Sequence, residues 1–171
     1  MARELLILRH GKSDWGLPLA DFDRPLKKRG KRAARRIGRW LREGGVLPDL
    51  VVTSPARRAI DTARLCAKEL NLSPESLHRD ERIYEAGLDA LLAVVDGLPD
   101  VAERVLLVGH NPGLEELLRA LARTPPPLAA NGKLLPTASL ARLAFDGVWG
   151  QAAAARFELL ALVRPRELEG R

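Results

Sequence analysis

What is scarce in this sequence limits what it can be. A single cysteine, Cys66, stands among 171 residues, so no internal disulfide can form. A thiol nucleophile for phosphoryl chemistry needs a phosphate-cradling loop closed by arginine just after it, and Ala67-Lys68-Glu69-Leu70 supplies none. Cys66 therefore reads as a small buried apolar residue. Aromatic residues make up only 4% of the chain and no nucleic-acid motif is visible, which argues against a nucleic-acid partner. No apolar run approaches the roughly 20 residues that cross a bilayer. Leu5-Leu6-Ile7-Leu8 is far too short and precedes no small-residue cleavage site, so a cytoplasmic protein with no membrane partner is expected. No glycine-rich loop ending in Lys-Ser or Lys-Thr is present, which removes nucleoside-triphosphate hydrolysis. No internal repeat or long linker divides the chain, and residues 1–171 are expected to form one domain.

What is present is globular in balance, with 46% hydrophobic and 29% charged residues. The net charge of +6 favours anionic partners. Much of the excess falls between Lys27 and Arg42, where Ala33, Ala34, Ile37, Trp40 and Leu41 recur at helical spacing. The plain reading of that segment is a helix with one buried face and a solvated basic remainder. A site for an acidic protein or nucleic acid is the alternative. Trp15, Trp40 and Trp149 read as packing residues, and His78, outside any motif, as a surface histidine.

Continuous apolar runs at Leu5–Leu8, Leu50–Thr53 and Val105–Val108 predict strands buried on both faces. A helix is expected from Ala56 to Leu70, with Ala59, Ala63, Cys66 and Leu70 on one stripe. Further helices are expected at Leu88–Leu98 and Leu114–Leu121, the latter opened by Pro112. Leu77–Ile83 suggests a short irregular strand, and Leu140–Phe145 with Ala155–Leu162 a closing pair linked through Asp146-Gly147. The alternation predicts a three-layer α/β/α sandwich with a mainly parallel sheet and an antiparallel edge.

Two of the three histidines, His10 and His110, each stand directly after a strong strand. Ligands of open α/β sheets bind beyond the carboxyl ends of the strands, so both imidazoles are expected on one rim. Arg9 precedes His10, and Arg57 opens the helix after the second strand. Two guanidiniums beside two imidazoles suit a phosphoryl group, whose oxygens accept forked N–H pairs. Gly11, Gly109 and Gly113 permit close backbone approach. A metal centre is disfavoured, because two histidines flanked by arginines offer too few ligands and repel a divalent cation. Asp21-Phe22-Asp23 is not an aspartyl-nucleophile motif, since the loop-like Gly16-Leu17-Pro18-Leu19-Ala20 precedes it in place of a strand.

These residues resemble a family. Leu8-Arg9-His10-Gly11-Lys12-Ser13 is similar to the Arg-His-Gly signature of the histidine phosphatase (phosphoglycerate-mutase-like) superfamily. Leu107-Val108-Gly109-His110-Asn111-Pro112-Gly113 resembles its second-histidine motif. Ser54-Pro55-Ala56-Arg57-Arg58-Ala59 with Thr62-Ala63 resembles its arginine motif, and Tyr84-Glu85-Ala86 its acidic motif. Asp21-Phe22-Asp23-Arg24-Pro25-Leu26 with Gly30 is similar to the short SixA-type branch, the phosphohistidine phosphatases. Two departures point away from the mutases: Gly16 stands where they carry Asn, and the short stretch from Arg57 to Glu85 leaves no room for their long insertion.

The resemblance implies a phosphoglycerate-mutase-like fold without a cap, and a phosphatase that uses no cofactor and no metal. His10 is then the nucleophile, while Arg9, Arg57 and His110 hold the non-bridging oxygens. Arg58 is expected at the surface. Glu85 is the implied proton donor and Asp21 a rival for that role. Arg24 either reaches the phosphate or pairs with Asp21 or Glu85, and Thr137 and Ser139 are further candidates for phosphate oxygens. The open pocket implied by a missing cap favours phosphohistidine on a protein as substrate. A small-molecule phosphomonoesterase acting on a nucleotide or sugar phosphate is the alternative. A non-catalytic phosphate- or phosphopeptide-binding module is the reading from another class.

Overall fold

The computed structural model describes residues 2–168. Six strands form one sheet in the order β3-β2-β4-β1-β5-β6. They are β1 (Ala2–Arg9), β2 (Leu50–Thr53), β3 (Leu77–Arg79), β4 (Arg104–Gly109), β5 (Leu140–Asp146) and β6 (Glu158–Val163). The first four run parallel, and β5 and β6 turn antiparallel at one edge. Four helices complete the sandwich: α1 (Lys28–Glu43), α2 (Arg57–Glu69), α3 (Leu88–Asp96) and α4 (Gly113–Leu121).

Alternation along β1 builds both cores. Leu6 and Leu8 face α1 and α2, where Ile37, Leu41, Ala59, Ala63 and Cys66 close over them. Leu5 and Ile7 face the other way, onto Leu91, Val95, Leu114 and Leu118 of α3 and α4. All four strand residues are fully buried, which is why this stretch is apolar without interruption. The Cys66 thiol lies inside the layer under α1 and α2, and burial pushes its pKa up to about 12. It is chemically inert there.

Two boundaries and one packing expectation differ from the structure for local reasons. The helix expected to reach Leu98 stops at Asp96, where Gly97 ends it. The last strand begins at Glu158 because residues 149–154 coil into a 3-10 turn that buries Trp149 and Ala152. Trp15 is not a packing residue: it is 71% exposed. Among the described residues no helix is long and apolar enough to cross a membrane.

Candidate active site

His10 and His110 are the first residues beyond neighbouring strands, β1 and β4, which pair in register through Arg9 and Gly109. The chain leaves β1 for α1 on one face of the sheet and leaves β4 for α4 on the other. A crevice must open where adjacent strands feed opposite faces, and the two rings stand in it with centroids 5.2 Å apart. The His10 backbone is pinned on both sides, donating to the Gly109 carbonyl at 3.1 Å and accepting from the Ala138 N–H at 2.9 Å. The start of α1 is pressed against this loop. A Cβ on Gly30 would lie 2.3 Å from the Lys12 carbonyl oxygen, so only glycine allows the contact.

The His10 ring has a defined tautomer. Its Nδ1 lies 2.7 Å from the Gly11 carbonyl oxygen, which can only accept, so Nδ1 carries the hydrogen and Nε2 keeps a lone pair. Burial is the main reason its pKa falls to about 3. The Gly11 bond opposes that shift, while His110, Arg58 and Arg9 reinforce it. His110 is lowered to about 4, first by burial and then by Arg58, with Asp21 opposing. Both imidazoles are therefore neutral at pH 7. His110 Nε2 meets the Ser54 hydroxyl at 2.7 Å, a contact that ties β4 to the end of β2.

The arginines correct the sequence reading at one position. Arg57 turns outward, more than half exposed, and pairs with Asp61 one helical turn on at 3.7 Å. Arg58, expected at the surface, is buried, and its charge helps to lower the pKa of both imidazoles. The signal for this was in the helix period: Arg58, Thr62 and Cys66 share the inner side, whereas Arg57, Asp61 and Arg64 share the outer. Arg58 donates to the Asp21 carbonyl at 2.7 Å and to its Oδ2 at 3.1 Å. Arg24 reaches Asp21 Oδ1 at 2.7 Å and also bonds Ser13 Oγ. Tyr84 donates to Asp21 Oδ2 at 2.7 Å. Asp21 is thus the brace for two guanidiniums and a phenol. Its bonds from Arg24 and Tyr84 hold its pKa far below the usual carboxylate range, and the same contact pushes Tyr84 up to about 12.

Arg9 approaches from the other side. Its Nη1 donates to the Leu135 carbonyl at 3.0 Å. That loop is fastened by Glu115, whose Oε2 accepts from Leu135 N at 2.9 Å and from Asn111 Nδ2 at 3.0 Å. Burial lowers the Arg9 pKa, with Glu115 opposing. Ser139 is buried next to the Arg9 backbone, its carbonyl accepting from Arg9 N at 3.1 Å, and Thr137 is half-buried in the same turn. Glu85 is exposed in a left-handed backbone conformation (φ 56°) and, among the described residues, its side chain bonds none of the imidazoles or guanidiniums. The sequence reading did not single out Ser54 or Ser13. Ser54 follows β2 as His10 follows β1, and that position was its available signal.

Buried polar atoms normally find partners. Among the described residues six buried side-chain atoms lack one, and Arg9 Nε, Arg58 Nε, His110 Nδ1, Asn111 Oδ1 and Ser139 Oγ all belong to this neighbourhood. Four of those five atoms can donate a hydrogen bond. The arrangement is a cationic cradle around two neutral imidazoles, which suits a tetrahedral oxyanion. Among the described residues no group of three or more His, Cys, Asp or Glu side chains gathers to hold a metal ion.

The profile of the histidine phosphatase superfamily (branch 1) matches residues 5–91. A candidate phosphohistidine phosphatase SixA from Nakamurella multipartitia is 31% identical, with a TM-score of 0.81 over 96% of this chain and 97% of that one. The protein histidine phosphatase SixA, solved with tungstate, shares the fold at a TM-score of 0.81 over 97% of this chain and 99% of that one, at 23% identity. A 2,3-bisphosphoglycerate-dependent phosphoglycerate mutase of Streptomyces avermitilis is 34% identical over 132 residues, 75% of this chain and 49% of the mutase. The chain thus spans about half the length of that relative.

Proposed function

The chain belongs to the histidine phosphatase superfamily, and on that footing we propose that it removes phosphate from phosphohistidine on a protein through a covalent intermediate on His10. The observation that carries the reading is the His10 ring. Its Nδ1 is committed to the Gly11 carbonyl, and among the described residues Nε2 has no protein partner. A neutral imidazole presenting a lone pair is a competent nucleophile toward phosphorus. In the first step the substrate P–N bond breaks as a P–N bond to His10 Nε2 forms, and the imidazole leaves neutral, keeping the proton already on its distal nitrogen. In the second, water attacks phosphorus as the His10 P–N bond breaks, the water protons leave on the released dihydrogen phosphate, and His10 returns to its neutral form with the hydrogen on Nδ1. The unpaired N–H groups of Arg9 and Arg58, with His110, stabilise the oxygens of the five-coordinate transition state. Arg24 stands one residue contact further out, and Ser139 and Thr137 are the remaining candidates for those oxygens.

The choice of leaving group follows from the carboxylates. Asp21 is held ionised by its guanidinium and phenol partners, so it does not serve as an acid at neutral pH. Glu85 is the remaining proton donor, and it is exposed. A leaving imidazole can already carry a proton on its distal nitrogen, so phosphohistidine depends least on an enzyme acid. A small-molecule phosphomonoesterase is the second reading, favoured by the likeness to the Streptomyces mutase. The donor set asks for no metal, because arginines supply the charge that a divalent ion supplies elsewhere. Rapid quenching with radiolabelled phosphohistidine protein should trap an acid-labile, alkali-stable phosphoryl group that is absent from His10→Ala. Turnover without such a label would remove the covalent mechanism. Glu85→Gln should slow ester hydrolysis while sparing phosphohistidine, and equal losses would reverse the order of the two readings.

A further inference from the structure

The loop between the His10 segment and α1 exposes Trp15, Leu17, Leu19 and Phe22 within eight residues. Other exposed large apolar side chains, such as Leu47, Val101 and Leu128, stand singly. Clustered exposure of this kind marks an interaction surface, whereas isolated exposure is ordinary. The loop is nonetheless held in shape. Asp14 N donates to the Pro25 carbonyl at 2.8 Å, Gly16 N to Asp14 Oδ1 at 2.8 Å, and Lys27 N to the Lys12 carbonyl at 2.8 Å. Its apolar side chains are therefore presented by a fixed backbone.

The patch begins at the imidazoles. The Phe22 ring meets Tyr84 edge-on with centroids 5.2 Å apart, and Tyr84 in turn meets His110 at 5.6 Å. The Arg24 guanidinium stacks beneath Trp15, 3.4 Å from its ring centroid. On the other flank the opening turns of α1 carry Lys27, Lys28, Arg29, Lys31 and Arg32, all exposed. Among the described residues none of these five has a carboxylate within 4.0 Å. Asp14, Asp21 and Asp23 lie within the loop itself, and the α1 border is cationic throughout. Apolar residues with aromatic anchors, bordered on one side by charge of one sign, have the make-up of a protein-binding surface.

We propose that the Trp15–Phe22 loop and the first turns of α1 form a docking surface for an acidic phosphoprotein, which lays apolar residues on the loop and carboxylates on α1 while its phosphorylated side chain enters the cradle. The proposal rests on the phosphatase reading above and names its substrate class. A free phosphorylated amino acid filling the cradle has no length left with which to cover Leu17 and Leu19. A second copy of this chain is a poor occupant, since a symmetric pairing about this patch would bring like charges of the two α1 helices together and cover His10. Nucleic acid would engage the cations and leave the leucines idle.

The test compares free phosphohistidine with a histidine phosphotransfer domain phosphorylated by phosphoramidate. The variants are Leu17→Ser with Leu19→Ser, and Lys28→Glu with Lys31→Glu; none of these residues touches the imidazoles or the guanidiniums. Each pair should raise KM for the phosphorylated domain at least tenfold and leave turnover of free phosphohistidine within twofold. The charge effect should shrink as salt rises. Unchanged KM for the domain, or equal losses on both substrates, would overturn the proposal. So would a wild-type dimer that the leucine variant dissociates, or tight RNA binding lost in the lysine variant with KM unaltered. A wild-type protein that hydrolyses phosphate esters but neither phosphoramidate would sink the functional reading itself, and the docking proposal with it.

Discussion

Replacing Arg58 by methionine keeps most of the apolar stem and removes a buried guanidinium whose charge acts on both imidazoles. Its side chain is 7% exposed, against 56% for Arg57, so the two neighbours differ in almost everything except residue type. Losing one donor to a developing oxyanion costs about 3 kcal/mol, on the order of a hundredfold in kcat. Stability should fall less, by about 1 kcal/mol, because the half-exposed Asp21 carboxylate keeps Arg24 and Tyr84 as partners. Arg57→Met removes only a 3.7 Å ion pair on the helix surface. Exposed pairs of that kind contribute roughly 0.3–0.5 kcal/mol, and the rate should change less than about twofold. Steady-state hydrolysis of para-nitrophenyl phosphate and of phosphohistidine, beside a thermal melt of each variant, measures both quantities. A hundredfold loss in Arg57→Met with Arg58→Met still active would refute the assignment of the inward arginine.

Burial keeps His10 neutral when folded, with a pKa of about 3, whereas in the unfolded chain it takes a proton near 6.5. Its contribution to stability is therefore intact above pH 6.5 and is lost as pH falls toward 3, by about 2 kcal/mol at pH 5. His110, lowered to about 4, loses a similar amount over the same range. Urea unfolding at pH 7 and pH 5 should therefore show both losses in the wild type and a loss about 2 kcal/mol smaller in His10→Asn; identical pH dependence would contradict a buried neutral imidazole. In Gly30→Ala the new methyl meets the Lys12 carbonyl at 2.3 Å, so the His10 loop must shift. Activity should fall at least tenfold while far-ultraviolet circular dichroism stays unchanged, and full activity would show that the contact between α1 and the loop is not needed. Chelators should leave turnover intact and vanadate should inhibit as a mimic of five-coordinate phosphorus, whereas activity restored by added metal after dialysis would rule out the mechanism as drawn.

The strands and helices were legible in the chain because their signals are short-range. Leu5–Leu8 is apolar at every position because both its faces are covered, and the 3.6-residue stripe through Ala59, Ala63 and Cys66 marks the inner side of α2. The same locality put His10 and His110 on one rim, since each ends a strand and the rim is common to all parallel strands. Adjacent helical residues point about 100° apart, and which of Arg57 and Arg58 enters the cradle depends on how α2 is rotated against the sheet. The stripe recorded that rotation, but the motif alone did not.

What only the tertiary structure decided is how distant segments complete the cradle. Asp21 braces Arg58 across 37 residues of sequence and Tyr84 across 63, and Glu115 fastens the Leu135 loop that holds Arg9. No local pattern encodes such contacts, because they arise when loops from different strands are carried to one end of the sheet. The exposure of Trp15, Leu17, Leu19 and Phe22 has the same origin. A sequence rule sends large apolar side chains inward, and only the packed molecule shows that both cores are already filled without them.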